Sequence, residues 1–142
     1  RTCAPPILLL FVAPTREKCI VRRSLTYTPL QALVTIYDVQ YVEAARNLAQ
    51  RMIKNGGFES HDRIAWGFRL GTSREIREKE LAVLLDVYRY SLERYRADSE
   101  AAVKLISMGE FKRDESLDPI EHAATTVIAS MILNLDETLT RE

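Results

Sequence analysis

The stretch REKELAVLLDVYRYSLERYRA, residues 77–97, decides the fold class of this chain. Its large apolar side chains recur at spacings of three, four and seven: Leu81, Leu84, Leu85, Tyr88, Leu92 and Tyr95. This spacing places them on one face of an α-helix. The pattern predicts the longest helix of the chain from about Arg77 to Ala97.

The first two predicted helices each have a start signal of their own. In Thr28-Pro29-Leu30-Gln31 the threonine can cap a helix, the proline suits the first helical position and the glutamine can reach back to the cap. This helix should run to about Ile36. Asp38 can cap a second helix that ends at Gly56-Gly57. The second helix is expected to bury Val42, Ala45, Leu48, Ala49, Met52 and Ile53, and to expose Glu43, Arg46, Gln50 and Lys54.

Two further helices flank the long one. A short helix is predicted from Ser60, with Ile64 and Phe68 one turn apart, and Gly71-Thr72-Ser73 should end it. After the long helix, Ser99 can cap another that continues through Met108.

A polar loop, Glu110–Leu117, should precede the last helix. Asp118-Pro119-Ile120-Glu121 repeats the cap, proline and box pattern. The helix is expected to end near Thr140, with an apolar stripe formed by Ala124, Val127, Ile128, Met131, Ile132, Leu135 and Leu139.

The N-terminal residues lack a helical period and contain Pro5, Pro6 and Pro14, which donate no backbone hydrogen bond. We therefore predict an extended arm over residues 1–26. No stretch alternates with a period of two between turn residues, so no sheet is expected. The predicted fold is all-α: a single domain over residues 1–142, in which residues 28–142 form a small bundle of five to six helices.

Charge and hydropathy exclude several classes of partner. The 20 basic and 20 acidic side chains give a net charge of zero, which argues against nucleic-acid binding. The longest apolar run, Ile7–Ala13, is far shorter than the roughly 20 residues of a membrane span. We expect it to be a buried extended segment rather than the core of a signal peptide. Because the chain begins at Arg1, we also expect it to be a piece of a larger protein.

The order of motifs along the chain resembles the C-terminal part of a planctomycete-type family, the domain of unknown function 1553. In the N-terminal half the resemblance rests on Arg1-Thr2, Pro5-Pro6, Phe11, Ala13-Pro14, Arg16-Glu17, Cys19, Arg22-Arg23, Thr26, residues 28–33 and Asp38. Further along it rests on residues 42–46, Phe68-Arg69-Leu70, Glu80-Leu81, Asp118-Pro119 and residues 133–137.

The resemblance implies an exported or periplasmic, multidomain parent protein. Members of the family typically carry other domains upstream, often a cytochrome c-like one, so any haem would lie outside this chain. Some polar positions depart from the family pattern: Val12, Leu25, Tyr27, Tyr37 and Thr125 stand where Asp, Arg, Asn, Asn and Trp are expected. These departures suggest a member with an intact fold and an altered site.

Candidate binding residues cluster in the predicted arm and the first helix: Arg16, Glu17, Arg22, Arg23 and Gln31. Arginine forks suit a bidentate contact with a carboxylate, sulfate or phosphate group. The alternative, which we favour, is that these charges fix the arm to the bundle through ion pairs.

The remaining reactive side chains give no catalytic signature. Cys3 and Cys19 are either bridged or free thiols, and they lack the spacing that attaches haem or metal. His61 and His122 lack zinc-site spacing, and His122 is expected to be half-buried or solvated. Asp114, Glu115, Asp118 and Glu121 could supply paired carboxylates, but two of them are better explained as helix caps. We expect no metal and no cofactor in this chain.

Two hypotheses remain open. In the first, the chain is a structural module that packs on upstream domains of the same polypeptide, and an apolar patch should lie where the arm enters the bundle. In the second, it is part of an enzyme acting on an anionic, for instance sulfated, polysaccharide, with the arginine-rich arm lining the cleft.

Three further arginines, Arg69, Arg74 and Arg77, lie close together in the sequence. Acidic residues alternate with them, so we interpret this segment as a solvated helix face.

Overall fold

The computed structural model describes residues 29–139, and in this part of the chain the only regular secondary structure is helical, without strands. The seven helices are α1 (Pro29–Tyr37), α2 (Val39–Asn55), α3 (Ser60–Thr72), α4 (Glu78–Ala97), α5 (Ser99–Ile106), α6 (Pro119–Leu133) and the single turn α7 (Asp136–Leu139). The predicted all-α bundle is confirmed. The predicted extended arm, residues 1–26, lies outside the described residues.

Aspartate side chains cap three of the seven helices. Asp38 accepts a hydrogen bond from the Gln40 amide at the start of α2, and Asp118 accepts one from the Glu121 amide at the start of α6. Both caps were predicted. The predicted cap Ser99 is wrong by one residue, because the Asp98 carboxylate takes this position and accepts from the Ala101 amide. A carboxylate also interacts more favourably than a hydroxyl with the positive end of the helix dipole.

Helix α6 forms the centre of the bundle and packs against α2, α4, α5 and α3. Its buried residues are His122, Ala123, Ala124, Thr125, Thr126, Ile128, Ala129 and Ile132. Small side chains on several faces let the neighbouring helices approach closely. The single apolar stripe predicted for this helix is therefore too narrow a description, and Met131 of that stripe is partly exposed.

The last helix ends earlier than predicted. α6 stops at Leu133 instead of continuing to about Thr140, and a separate turn, α7, follows. The hydroxyl of Thr138 donates to the carbonyl of Ile132 at 2.8 Å, which satisfies an acceptor at the end of α6. The Arg74–Glu137 ion pair also holds α7 against the turn before α4.

The long helix α4 buries one face, as its sequence predicts. Leu84, Tyr88, Ser91 and Tyr95 are buried, and Leu81, Leu85 and Leu92 are partly buried against the same core. Tyr90 lies on the outer face of this helix and is 66% exposed.

Candidate functional site

The predicted binding residues of the arm, Arg16, Glu17, Arg22 and Arg23, lie outside the described residues, as do Cys3 and Cys19. Gln31 is described and occupies the first turn of α1. It is buried, and its backbone carbonyl accepts a hydrogen bond from the Thr35 hydroxyl at 3.3 Å. The hydroxyl of Thr35 also lies within hydrogen-bonding distance of the Asn134 side chain, which ties α1 to the end of α6.

Among the described residues, the most buried charged group is Arg46 of α2, which was predicted to lie on the exposed face. That prediction is wrong, because Arg46 is only 1% exposed. Its Nη1 donates to the carbonyl of Ile106 at 3.0 Å, and its Nη2 donates to the carbonyl of Phe111 at 2.9 Å. The guanidinium therefore binds the backbone of the loop that follows α5.

Glu43 complements Arg46 from one turn earlier on α2. Its carboxylate accepts from the amides of Phe111 at 2.7 Å and Glu110 at 3.4 Å, and it lies 3.4 Å from the Arg46 guanidinium. Together the two side chains satisfy donors and acceptors of the same loop. We call Glu43, Arg46 and the loop backbone from Ile106 to Phe111 the loop clamp.

Gly109 lets the loop approach this close to α2. Its φ of 100° lies in the region that disfavours other residues. A Cβ placed on it would lie 2.5 Å from the Glu43 carboxyl carbon, so a side chain there would collide with the loop clamp. Glycine at this position is thus explained by both backbone conformation and space.

His122 lies beside the loop clamp and is fully buried, so the expectation of a half-buried or solvated ring is wrong. Its Nε2 lies 3.3 Å from the backbone carbonyl of Arg46. Burial is the main cause that lowers the pKa of His122 below its usual value of 6.5, and the nearby Arg46 and Arg113 charges lower it further. The hydrogen bond to the Arg46 carbonyl and the Asp114 carboxylate act in the opposite direction.

The cluster formed by Arg46 and His122 is closed to solvent. Arg46 Nε and His122 Nδ1 are buried, and neither has a hydrogen-bond partner within the described part of the chain. Because the other polar atoms bind the backbone, we interpret this cluster as a support for the loop rather than a reaction site. One feature of the sequence could have predicted the burial of Arg46. It lies four residues after the buried Val42, and so at the edge of the apolar stripe of α2.

Three of the four acidic residues considered for acid–base chemistry have separate structural partners. Asp114 pairs with Lys54 and accepts from Ser116, and these contacts hold the pKa of its carboxyl well below the usual range. The Glu121 carboxylate pairs with Arg63. The predicted capping box, in which Glu121 would accept from the backbone of the cap residue Asp118, is therefore wrong. Asp118 caps α6. The arrangement resembles no pair of cooperating carboxylates.

A second charged network joins α7 to the turn before α4. The Arg74 guanidinium donates to both oxygens of Glu80 and both of Glu137, at 2.7–2.9 Å, and lies 4.7 Å from the centre of the Phe68 ring. Hydrogen bonds from Arg74, and next from the Arg77 amide, lower the pKa of Glu80 to about 2. Arg74 therefore links three segments rather than forming part of a solvated face.

The largest exposed apolar side chains near the start of the described chain are Leu33, Ile36, Tyr37 and Val39. The first three occupy positions i, i+3 and i+4 of α1 and so share one side of that helix. We call these three residues, together with Val39 at the start of α2, the α1 face. An apolar patch was predicted where the arm enters the bundle, and the α1 face lies directly after the arm in the chain.

The described part of the chain includes two mostly apolar grooves that are open at the surface. The first, the α1–α5 groove, has a volume of about 270 Å³ and is lined by Ile36, Val42, Ala45, Tyr95, Leu105, Thr126, Val127, Ser130, Met131 and Asn134. The second, the α4–α7 groove, has a volume of about 410 Å³ and is lined by Phe68, Lys79, Glu80, Val83, Leu84, Met131, Ile132, Leu135 and Glu137.

Within residues 29–139, no group of three or more histidine, cysteine or acidic side chains is arranged to bind a metal ion. None of the helices in this stretch is both long and apolar enough to cross a membrane.

Comparison with known proteins identifies a family without a known function. A family model described as a protein of unknown function (DUF1553) matches residues 1–88, which is more than half of the 142 residues. No curated protein and no solved structure matches the chain. The matched region includes α1, α2, α3 and the first half of α4, whereas the resemblance of residues 118–137 to the same family stays a prediction. The chain therefore belongs to the family of proteins of unknown function termed DUF1553.

Proposed function

We propose that this helical bundle is a docking module that binds another domain of its own, longer polypeptide through the α1 face. The observation that supports this is the composition of α1, PLQALVTIY, which has no charged residue. A helix without charge on any side is normally covered on all sides. In this bundle Leu33 and Tyr37 remain 52% and 73% exposed.

The position of α1 in the chain favours a domain that precedes it. A domain upstream of the arm is covalently held near the α1 face, and this tethering raises its effective concentration at that surface. The proposal therefore includes the expectation from the family resemblance: an exported parent protein in which any haem belongs to another domain. The interface would be apolar at its centre, as the fully buried part of a protein interface usually is.

Hydroxyl-radical footprinting of two tyrosines tests this proposal. Tyr37 belongs to the α1 face, whereas Tyr90 lies on α4 and is similarly exposed, at 66%. The two side chains should be modified at similar rates in the 142-residue chain. In the full-length parent protein we expect Tyr37 modification to fall several-fold and Tyr90 modification to stay unchanged.

The arm is present in both samples, so protection that appears only in the parent is due to its other domains. Equal Tyr37 modification in both samples would contradict the proposal. A parent gene that encodes no further domain would contradict it as well. Protection of both tyrosines would indicate a contact that is not centred on α1, and the proposal would then be wrong.

A further inference from the structure

The α1–α5 groove is a surface depression without charge. Its floor is α6, one wall is formed by α1 and α2, and the other by α4 and α5. None of the ten lining residues is acidic or basic. Such a surface binds an apolar segment without the cost of removing water from a charged group.

The chain itself contains a segment of matching chemistry. Residues 7–13, ILLLFVA, are all apolar and contain no charge. Left in water, this run would be an exposed apolar patch, which soluble proteins normally cover. We propose that the run Ile7–Ala13 occupies the α1–α5 groove of the same molecule, as an extended segment that completes the core.

The dimensions of the groove suit this occupant. A cavity of roughly 150 Å³ holds one benzene molecule. The α1–α5 groove, at about 270 Å³, therefore has room for about two side chains of leucine or phenylalanine size. In an extended segment alternate side chains point to the same side, so Leu9 and Phe11 can enter the groove together.

The connection also permits this placement. Residues 14–28 separate the run from Pro29, and a linker of this length reaches roughly 50 Å when extended. Ile36, on the helix that the linker enters, forms part of the groove wall. The segment therefore has to fold back only to the neighbouring helix, and the entropy cost of closing such a loop rises slowly with its length.

The α4–α7 groove fits the run less well, although it is larger. Lys79, Glu80 and Glu137 are among its nine lining residues. Glu80 and Glu137 are held there by Arg74, so an apolar segment would bring their charges out of water. Chemical complementarity thus assigns the run to the α1–α5 groove.

Site-specific photocrosslinking in the 142-residue chain tests this assignment. The substitution Phe11→p-benzoylphenylalanine retains an aromatic side chain and captures C–H groups within contact distance. We expect capture within one molecule, with crosslinked peptides from α5 that contain Leu105. Because Met131 lines both grooves, Leu105 and Val83 are the residues that distinguish them.

The same photoreactive residue at an exposed position measures the background level of crosslinking. Phe58 is 98% exposed, so Phe58→p-benzoylphenylalanine should give no crosslink to Leu105. A second pair of variants checks the groove directly in the Phe11 probe background: Leu105→Glu should abolish the crosslink to the groove, and Val83→Glu should leave it. Circular dichroism establishes that each variant is folded.

Three results would overturn the inference: capture of peptides that contain Val83, crosslinks only between two molecules, or no capture above the Phe58 level. The probe at Phe11 is decisive even if Leu105→Glu prevents folding. The inference does not rest on the proposed docking function, since it concerns contacts within the 142-residue chain. Tyr37 footprinting can fail while the Phe11 crosslink succeeds, and the reverse also holds.

Discussion

Helices α6 and α1 are both rich in apolar residues but have opposite surroundings. Ile128 and Ile132 of α6 are completely buried, whereas Leu33 and Tyr37 of α1 are more than half exposed. Apolar area contributes to folding only where it is removed from water, at about 25 cal/mol per Å². The α1 face therefore adds little to the stability of this bundle, and its composition is consistent with the docking contact that we propose.

The sharpest test of this comparison is to shorten one apolar side chain in each helix. Ile128→Ala should lower the free energy of unfolding by about 3 kcal/mol, because it removes buried methyl groups and leaves a cavity. Leu33→Ala should change it by less than about 0.5 kcal/mol, as is usual for exposed positions. Urea unfolding of the 142-residue chain measures both values, and equal losses would show that α1 belongs to the core.

The next effect concerns the loop clamp. Arg46→Met retains an unbranched side chain but leaves the carbonyls of Ile106 and Phe111 without their donor, so unfolding should become easier by about 3 kcal/mol. Hydrogen exchange of the amides in residues 107–118 should accelerate at the same time, because the loop loses the two hydrogen bonds that its carbonyls accept from Arg46 of α2.

Arg69→Met is the matched control for this change, since Arg69 is an exposed helical arginine. It should leave both stability and loop exchange nearly unchanged. If Arg46→Met behaved like the control, the buried guanidinium would contribute nothing to the position of the loop, and the loop clamp would be misassigned.

Local patterns in the sequence were sufficient for much of the fold. Asp38 and Asp118 were recognised as caps, and the buried stripe of α2 was predicted because its side chains repeat with the helical period. These features depend on neighbours within about one turn. The bounds of α4 were predicted to within one residue for the same reason.

Features that depend on distant partners were missed. Arg46 was assigned to solvent because its burial requires carbonyls 60 and 65 residues further along the chain. His122 was expected near solvent because nothing local shows that α6 is surrounded by other helices. The candidate arm residues Arg16 and Arg23 remain predictions, since they lie outside the described part of the chain.

The smallest expected effect is the pH dependence that His122 gives to stability. Its pKa in the folded chain is below the usual value of 6.5, so the unfolded chain binds the proton more readily. Above about pH 6.5 this group therefore does not lower the free energy of unfolding. As the pH falls from there towards the pKa of the folded chain, the free energy of unfolding decreases. One histidine changes the free energy of unfolding by at most about 1.4 kcal/mol per pH unit.

Replacing each histidine separately tests this origin of the pH dependence. His122→Gln should flatten the curve of unfolding free energy between pH 7 and pH 5.5, whatever its effect on stability at neutral pH. His61→Gln should retain the slope, because the His61 side chain is 55% exposed and gains no comparable burial on folding. If the slope survives in His122→Gln, the proton is taken up elsewhere, and the buried ring beside Arg46 contributes to packing but not to acid sensitivity.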